Sequence, residues 1–257
     1  MRKSFLAAAL GFTLVFAGPS AMAATTGPHA AWMDWEPGND VGNIASLQRG
    51  AANFMGYCAG CHSLKYKRYS RVAKDLNIPE EQMEKLLLLP GAKKGDYIIT
   101  PMSKADGEAW FGKAPPDLSL TTRAKGSDYV YQFLKTFYAD PKSANGTNNL
   151  ALPNTAMPHV LSALQGVQEA KFKAVEKVVD GETVTEQHWD SFELTSPGQL
   201  SPEEYDGFVR DTVNFLEYVG EPVKAKRESL GVWVILFLLV FTGFAYLLKQ
   251  EYWKDVK

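Results

Sequence analysis

Two thiols and an imidazole mark where this chain could do chemistry. Cys58-Ala59-Gly60-Cys61-His62 places two cysteines three positions apart, with a histidine directly after the second. At that spacing each thiol can add to one vinyl group of a porphyrin, and the adjacent imidazole then lies beneath the iron as its proximal ligand. The expected chemistry is covalent attachment of a c-type haem. These are the only two cysteines in the chain, so no disulfide framework and no four-cysteine zinc or iron–sulfur site can be built beside the motif. A bare C-x-x-C also suits a thioredoxin-like redox pair or half a zinc site, but neither asks for His62. The motif occurs once, so one haem is expected.

The sixth iron ligand separates an electron carrier from a haem enzyme. Methionine opposite histidine raises the reduction potential, whereas an open position admits small molecules. Beyond the first 23 residues the methionines are Met33, Met55, Met83, Met102 and Met157. Met55 is too close to Cys58 to reach the opposite haem face, and Met83 fits the inside of a helix. Met102, after Pro101 in a loop, stays a contender. Met157 is better placed, in Ala156-Met157-Pro158-His159, where a proline fixes the backbone after a loop rich in Asn and Pro. His159 is the competing ligand.

Those groups need elements to hold them. Arg2 and Lys3, an apolar run from Phe5 to Ala17 and the small-residue site Ala21-Met22-Ala23 form an export leader over residues 1–23. The leader takes two cations and no acid with it, so the formal charge moves from −2 to −4. Residues 24–229 are then expected to be a haem domain in the periplasm of a bacterium. A second apolar run, Gly231 to Leu248, carries no charge over 18 residues. As a helix it spans about 27 Å, enough for a hydrocarbon core, and Trp233, Tyr246, Tyr252 and Trp253 suit the two interfaces. Residues 230–249 are read as a membrane anchor contacting lipid, and residues 250–257 as a cytoplasmic tail.

Within the domain, Leu47, Gly50, Ala51, Phe54 and Cys58 recur at helical steps over Ile44 to Tyr57. Ser201-Pro202-Glu203-Glu204 is a capping box that opens a second helix, with Tyr205, Phe208, Val209, Thr212, Val213, Leu216 and Val219 on one side, stopped by Gly220 and Pro222. Gly50 would let the two helices approach closely. A short helix is expected from Pro79 to Leu89, with Asn77 as cap and Leu86 to Leu89 as its buried end. Between Gly91 and Pro116 glycines and prolines break any long element. Few runs alternate as strands do, so the fold class is mainly α, with loop insertions.

The order of these features resembles the cytochrome c1 family, the haem subunits of the quinol:cytochrome c reductase. The resemblance runs through Ser63-Leu64-Lys65-Tyr66 after the haem motif, Ala114-Pro115-Pro116-Asp117-Leu118-Ser119, Arg123 to Tyr131, Ala156-Met157-Pro158, Asp211 to Pro222 and the anchor ending in Tyr252-Trp253-Lys254. It implies a cytochrome c-like monohaem domain with His62 and Met157 as axial ligands, the Pro115–Ser119 strip along the haem edge, and Arg123 near a propionate. It further implies partnership with cytochrome b and a Rieske iron–sulfur protein, with a cytochrome c as electron acceptor. The subunit would carry electrons and do no bond chemistry itself. Alternatives are a stand-alone anchored cytochrome serving a terminal oxidase or reductase, and a haem enzyme or gas sensor with an open sixth position and His159 as acid or base. Between Val167 and Leu200 the likeness fades. There, from Asp180 to Val209, eight acids occur without a Lys or Arg, a one-signed stretch that could attract a basic acceptor. No basic patch suggests nucleic acid.

Overall fold

Asn43 starts the helix that carries the thiols. Its side chain accepts a hydrogen bond from Ser46 N at 3.1 Å, and α1 runs Ile44–Tyr57 with Leu47, Gly50, Ala51 and Phe54 buried on one face. The computed structural model describes residues 30–179 and 182–255; the leader expected at 1–23 lies outside them. In chain order there follow β1 (Leu64–Arg68), α2 (Tyr69–Asp75), α3 (Glu80–Leu86), β2 (Tyr97–Ile98), α4 (Lys104–Phe111), α5 (Thr121–Lys125), α6 (Ser127–Lys135), β3 (Phe137–Ala139), β4 (Thr147–Asn149), α7 (Ser162–Gln165), β5 (Gly166–Val179), β6 (Glu182–Pro197), α8 (Pro202–Gly220) and α9 (Lys224–Tyr252). The class is mostly helical, as the sequence predicts.

The core is the crossing of α1 and α8. Ser201 caps α8 reciprocally, accepting from Glu204 N while the Glu204 carboxylate accepts from Ser201 N. From that start Val209, Val213, Phe215, Leu216 and Val219 are buried, and the Phe54 and Phe215 rings lie 6.0 Å apart. Gly50 permits the crossing, since a Cβ there would stand 2.0 Å from the Asp211 carbonyl oxygen and 2.7 Å from Phe215 Cβ. Asp211 fastens the same crossing by side chain, accepting from Ser46 Oγ at 2.6 Å and from Arg49 Nε at 2.5 Å. Each large apolar side chain sealed here contributes about 1.5–3 kcal/mol relative to exposure.

Two expectations are corrected. The helix after Asn77 is shorter, α3 being capped at Pro79 without a side-chain bond. Asn77 instead takes φ +54°, and the Ile78 amide bonds Ala73 O at 2.8 Å, so this residue closes α2 rather than opening α3. Leu86, expected in the buried end, is 71% exposed, and Leu87 is the buried one. The expectation of helix and loop also fails between 166 and 197, where β5 and β6 form a long antiparallel hairpin. Trp35 packs against β6, with Trp189 edge-on at 6.2 Å and Phe192 at 6.5 Å.

Helix α9 buries none of its residues in the domain. The apolar stretch within this 29-residue helix is long enough to cross a bilayer, whereas a core helix of this composition would be covered by protein.

Candidate haem site

The thiols leave α1 on a single tight turn. Cys58 N and Ala59 N both bond Phe54 O, at 2.8 and 2.9 Å, and Cys61 N and His62 N then fold back onto Cys58 O at 3.0 and 2.8 Å. Fully buried Ala59 pins that turn into the core. Both cysteines are free and half-buried. Burial, reinforced by the nearby Cys61 sulfur, pushes the Cys58 thiol up to about 12.

His62 follows with its ring already oriented. Its Nδ1 lies 2.7 Å from the Pro116 carbonyl oxygen. A carbonyl only accepts, so Nδ1 carries the hydrogen and Nε2 keeps the lone pair that a metal needs. Burial lowers the imidazole's pKa against the smaller raising effects of the Pro116 bond and the Asp117 charge, which favours the neutral, ligating form.

The strip holding Pro116 is itself laced to the segment after the motif. Asp117 accepts from Lys65 N at 2.8 Å and from Ser119 N at 3.0 Å, while Leu118 N bonds Ser63 O at 2.9 Å. On the other flank Thr100 Oγ1 donates to Gly60 O at 2.7 Å, and Thr100 N donates to Ser63 Oγ at 2.9 Å. Helix α4 lies close behind, because a Cβ on Gly107 would come within 2.7 Å of Pro115 Cδ. The sequence points to the Pro115–Ser119 strip and to Ser63-Leu64-Lys65-Tyr66 but not to Thr100, whose bonds to Ser63 and Gly60 reach across 37 and 40 residues.

Met157 sits on a separate loop, half-buried against the same core cluster. Asn148 and Asn149 shape its approach. The Asn148 carboxamide accepts from Asn154 N at 2.8 Å, and that of Asn149 accepts from Ala151 N at 2.9 Å and Leu152 N at 3.0 Å. His159, the competing ligand, lies flat on Phe137, with rings 4.9 Å apart and 4° from parallel. Burial lowers its pKa to about 4, so it is neutral at physiological pH. Met102 is half-buried beside Gly107, and Met83 is core. Arg123 stands on α5 with its guanidinium 3.4 Å from Glu221, at the C-terminal cap of α8.

The donor set suits a haem: two thiols on one turn, an imidazole with its distal nitrogen fixed, and a thioether on a braced loop. Joined to a bare apolar helix, it defines a membrane-tethered c-type cytochrome. A family model described as the Cytochrome C1 family matches residues 90–256. Cytochrome c1 of Allochromatium vinosum is 46% identical over 257 residues, covering all of both chains. The ammonia monooxygenase gamma subunit of Nitrosomonas europaea is 42% identical over 217 residues, 84% of this chain and 86% of that one. A cytochrome b/c1 of Bradyrhizobium diazoefficiens is 26% identical over 245 residues, 82% of this chain but 33% of the longer relative. The chain belongs to the cytochrome c1 family. It carries one covalently bound c-type haem, works in electron transfer and is anchored in a membrane.

Proposed function

We infer that this chain is the haem subunit of a quinol:cytochrome c reductase, taking one electron from a Rieske iron–sulfur protein and passing it to a cytochrome c while lying beside cytochrome b. The observation that carries this reading is the motif turn, with its two free thiols and an imidazole whose Nδ1 is held 2.7 Å from Pro116 O. The name of the Bradyrhizobium diazoefficiens relative, cytochrome b/c1, supports the cytochrome b partner. When bound, the haem supplies a one-electron centre that exchanges between ferric and ferrous iron.

In this reading Cys58 and Cys61 would hold the porphyrin covalently, and His62 Nε2 and the Met157 thioether would ligate its iron. Asp117 and Thr100 keep the His62 side rigid, which limits reorganisation as charge changes. Arg123, with donors beyond its contact to Glu221, is the propionate partner. Residues 1–23 are the leader, 24–229 lie in the periplasm, 230–249 cross the inner membrane and 250–257 are cytoplasmic. His159 is poorly suited to acid–base chemistry, being stacked on Phe137 and neutral.

The test is purification from native membranes in mild detergent, with reduced-minus-oxidised spectra and quinol-driven reduction of the c-type haem. Co-purifying b-type haem and fast quinol-dependent reduction are expected. A c-type spectrum alone, unreduced by quinol in intact complexes, would turn the reading to a stand-alone anchored carrier. Ready binding of carbon monoxide by the reduced protein would overturn the six-coordinate site.

A further inference from the structure

The join between haem domain and anchor is built without slack. Glu221, Pro222 and Val223 alone separate α8 from α9. Backbone bonds run straight through them, from Glu221 N to Glu217 O at 3.0 Å, from Lys224 N to Glu221 O at 3.1 Å and from Arg227 N to Val223 O at 2.8 Å. Pro222 fixes the one residue without a donor. A linker of this kind has none of the freedom of a polar coil.

Two carboxylates then clamp the join from both flanks. Glu221 takes Arg227 of α9 in a two-point pair, at 2.6 Å to Nε and 3.2 Å to Nη2, and also receives Arg123 from α5 at 3.4 Å. Glu217, in the last turn of α8, accepts from Lys224 of α9 and from the Asn39 carboxamide of the segment before α1. Helix α5 is itself bound to α8, since Thr122 Oγ1 donates to Leu216 O at 3.0 Å in a buried bond. Three separate parts of the haem domain thereby converge on the first turn of the anchor.

We propose that Glu217 and Glu221 are positioning residues that lock the haem domain at one angle to the membrane through Lys224 and Arg227. The inference rests on the membrane anchoring of α9.

The experiment uses the full-length, haem-loaded chain in oriented lipid bilayers, reading the angular spread of the low-spin ferric haem by electron paramagnetic resonance. The parent protein is expected to give a narrow spread, and the pair Glu217→Gln and Glu221→Gln to broaden it about twofold or more, as release of a hinge does. Glu217→Lys alone is expected to broaden it, and adding Lys224→Glu to restore it, which a general packing defect would not do. An unchanged spread in the double variant, or a broad one in the parent, overturns the proposal. If the double variant loses its haem, Arg227→Gln, on the exposed side of the pair, gives the same reading. A chain that stays out of the bilayers overturns the anchoring instead.

Discussion

In the proposed site the His62 ring would ligate iron through its second nitrogen, which is kept free by a bond to a backbone carbonyl that no mutation can remove directly. Asp117 is the accessible handle. Asp117→Ala frees the Lys65 and Ser119 amides and is expected to lower stability by about 1–3 kcal/mol, with a weaker iron–histidine bond visible in resonance Raman spectra of the ferrous protein. Lys67 gives a second test. It is buried, with its ammonium 4.6 Å above the Tyr218 ring, and burial lowers its pKa to about 8 despite the raising effect of Asp75. Below pH 8 both folded and unfolded chains carry the charge, and the folded state bears the desolvation cost. Between about pH 8 and 10.5 the folded chain gives up the proton first, so stability rises with pH across that window. Lys67→Met is expected to raise stability by roughly 1–2 kcal/mol at pH 7, after loss of the ring contact. Its advantage over the parent should vanish by about pH 10.5 in denaturant titrations. At this scale the sequence was informative wherever chemistry is local. The tight turn of Cys58 to His62 is legible because it is local, whereas Thr100 acts on it across a loop whose path no short pattern encodes.

At the scale of elements, Gly50 separates a helix that packs from one that cannot. Gly50→Ala places a methyl carbon 2.0 Å from Asp211 O, so α1 and α8 must part. The expected cost is about 3 kcal/mol, measured by urea unfolding, with earlier loss of the haem's native absorption. Ser201→Ala removes one half of the capping box and is expected to cost about 1 kcal/mol. Both helices were readable because 3.6-residue periodicity, a capping box and a terminating Gly-x-Pro all agree. Asn77 was misread because Asn serves both as an N-cap and as a left-handed closing residue, and only the neighbouring fold selects between them. Helix α4 had a signal that glycine-rich surroundings obscured: Ser103 caps it through Asp106 N at 3.0 Å, and Gly112 ends it at φ +72°. The β5–β6 hairpin also left a trace. Asp180-Gly181 between runs of valine and threonine is a hairpin signature, overlooked because the abundant Lys and Glu masked the alternation.

Across the whole molecule the acidic stretch loses its single sign. Strand β5 lays Lys171 3.0 Å from Glu193 and Lys173 2.8 Å from Asp190, while Lys135 and Arg210 hold Asp206. A run of acids in sequence has become a mixed surface in space, because pairing strands bring their own charges. Replacing Asp190 and Glu193 by Asn and Gln is accordingly expected to change the rate of acceptor reduction, and its salt dependence, by less than about twofold. Truncation after Glu228 is expected to release a soluble domain with the haem spectrum intact, since α9 buries nothing in the core; fractionation and absorption spectra check this.

The partial burial of Cys58 bears on the order of events. A thiol titrating at about 12 is almost never ionised at neutral pH, and the thiolate is the nucleophile of cysteine chemistry. A folded domain is thus expected to take up porphyrin slowly, and attachment to a chain still open at α1 is the expected course. The fold provides that interval, since α1 can close only on α8, whose residues arrive some 150 positions later. Until α8 has been added the motif turn lacks the helix that packs it, so the long separation of the two core helices leaves an interval in which cofactor attachment is expected.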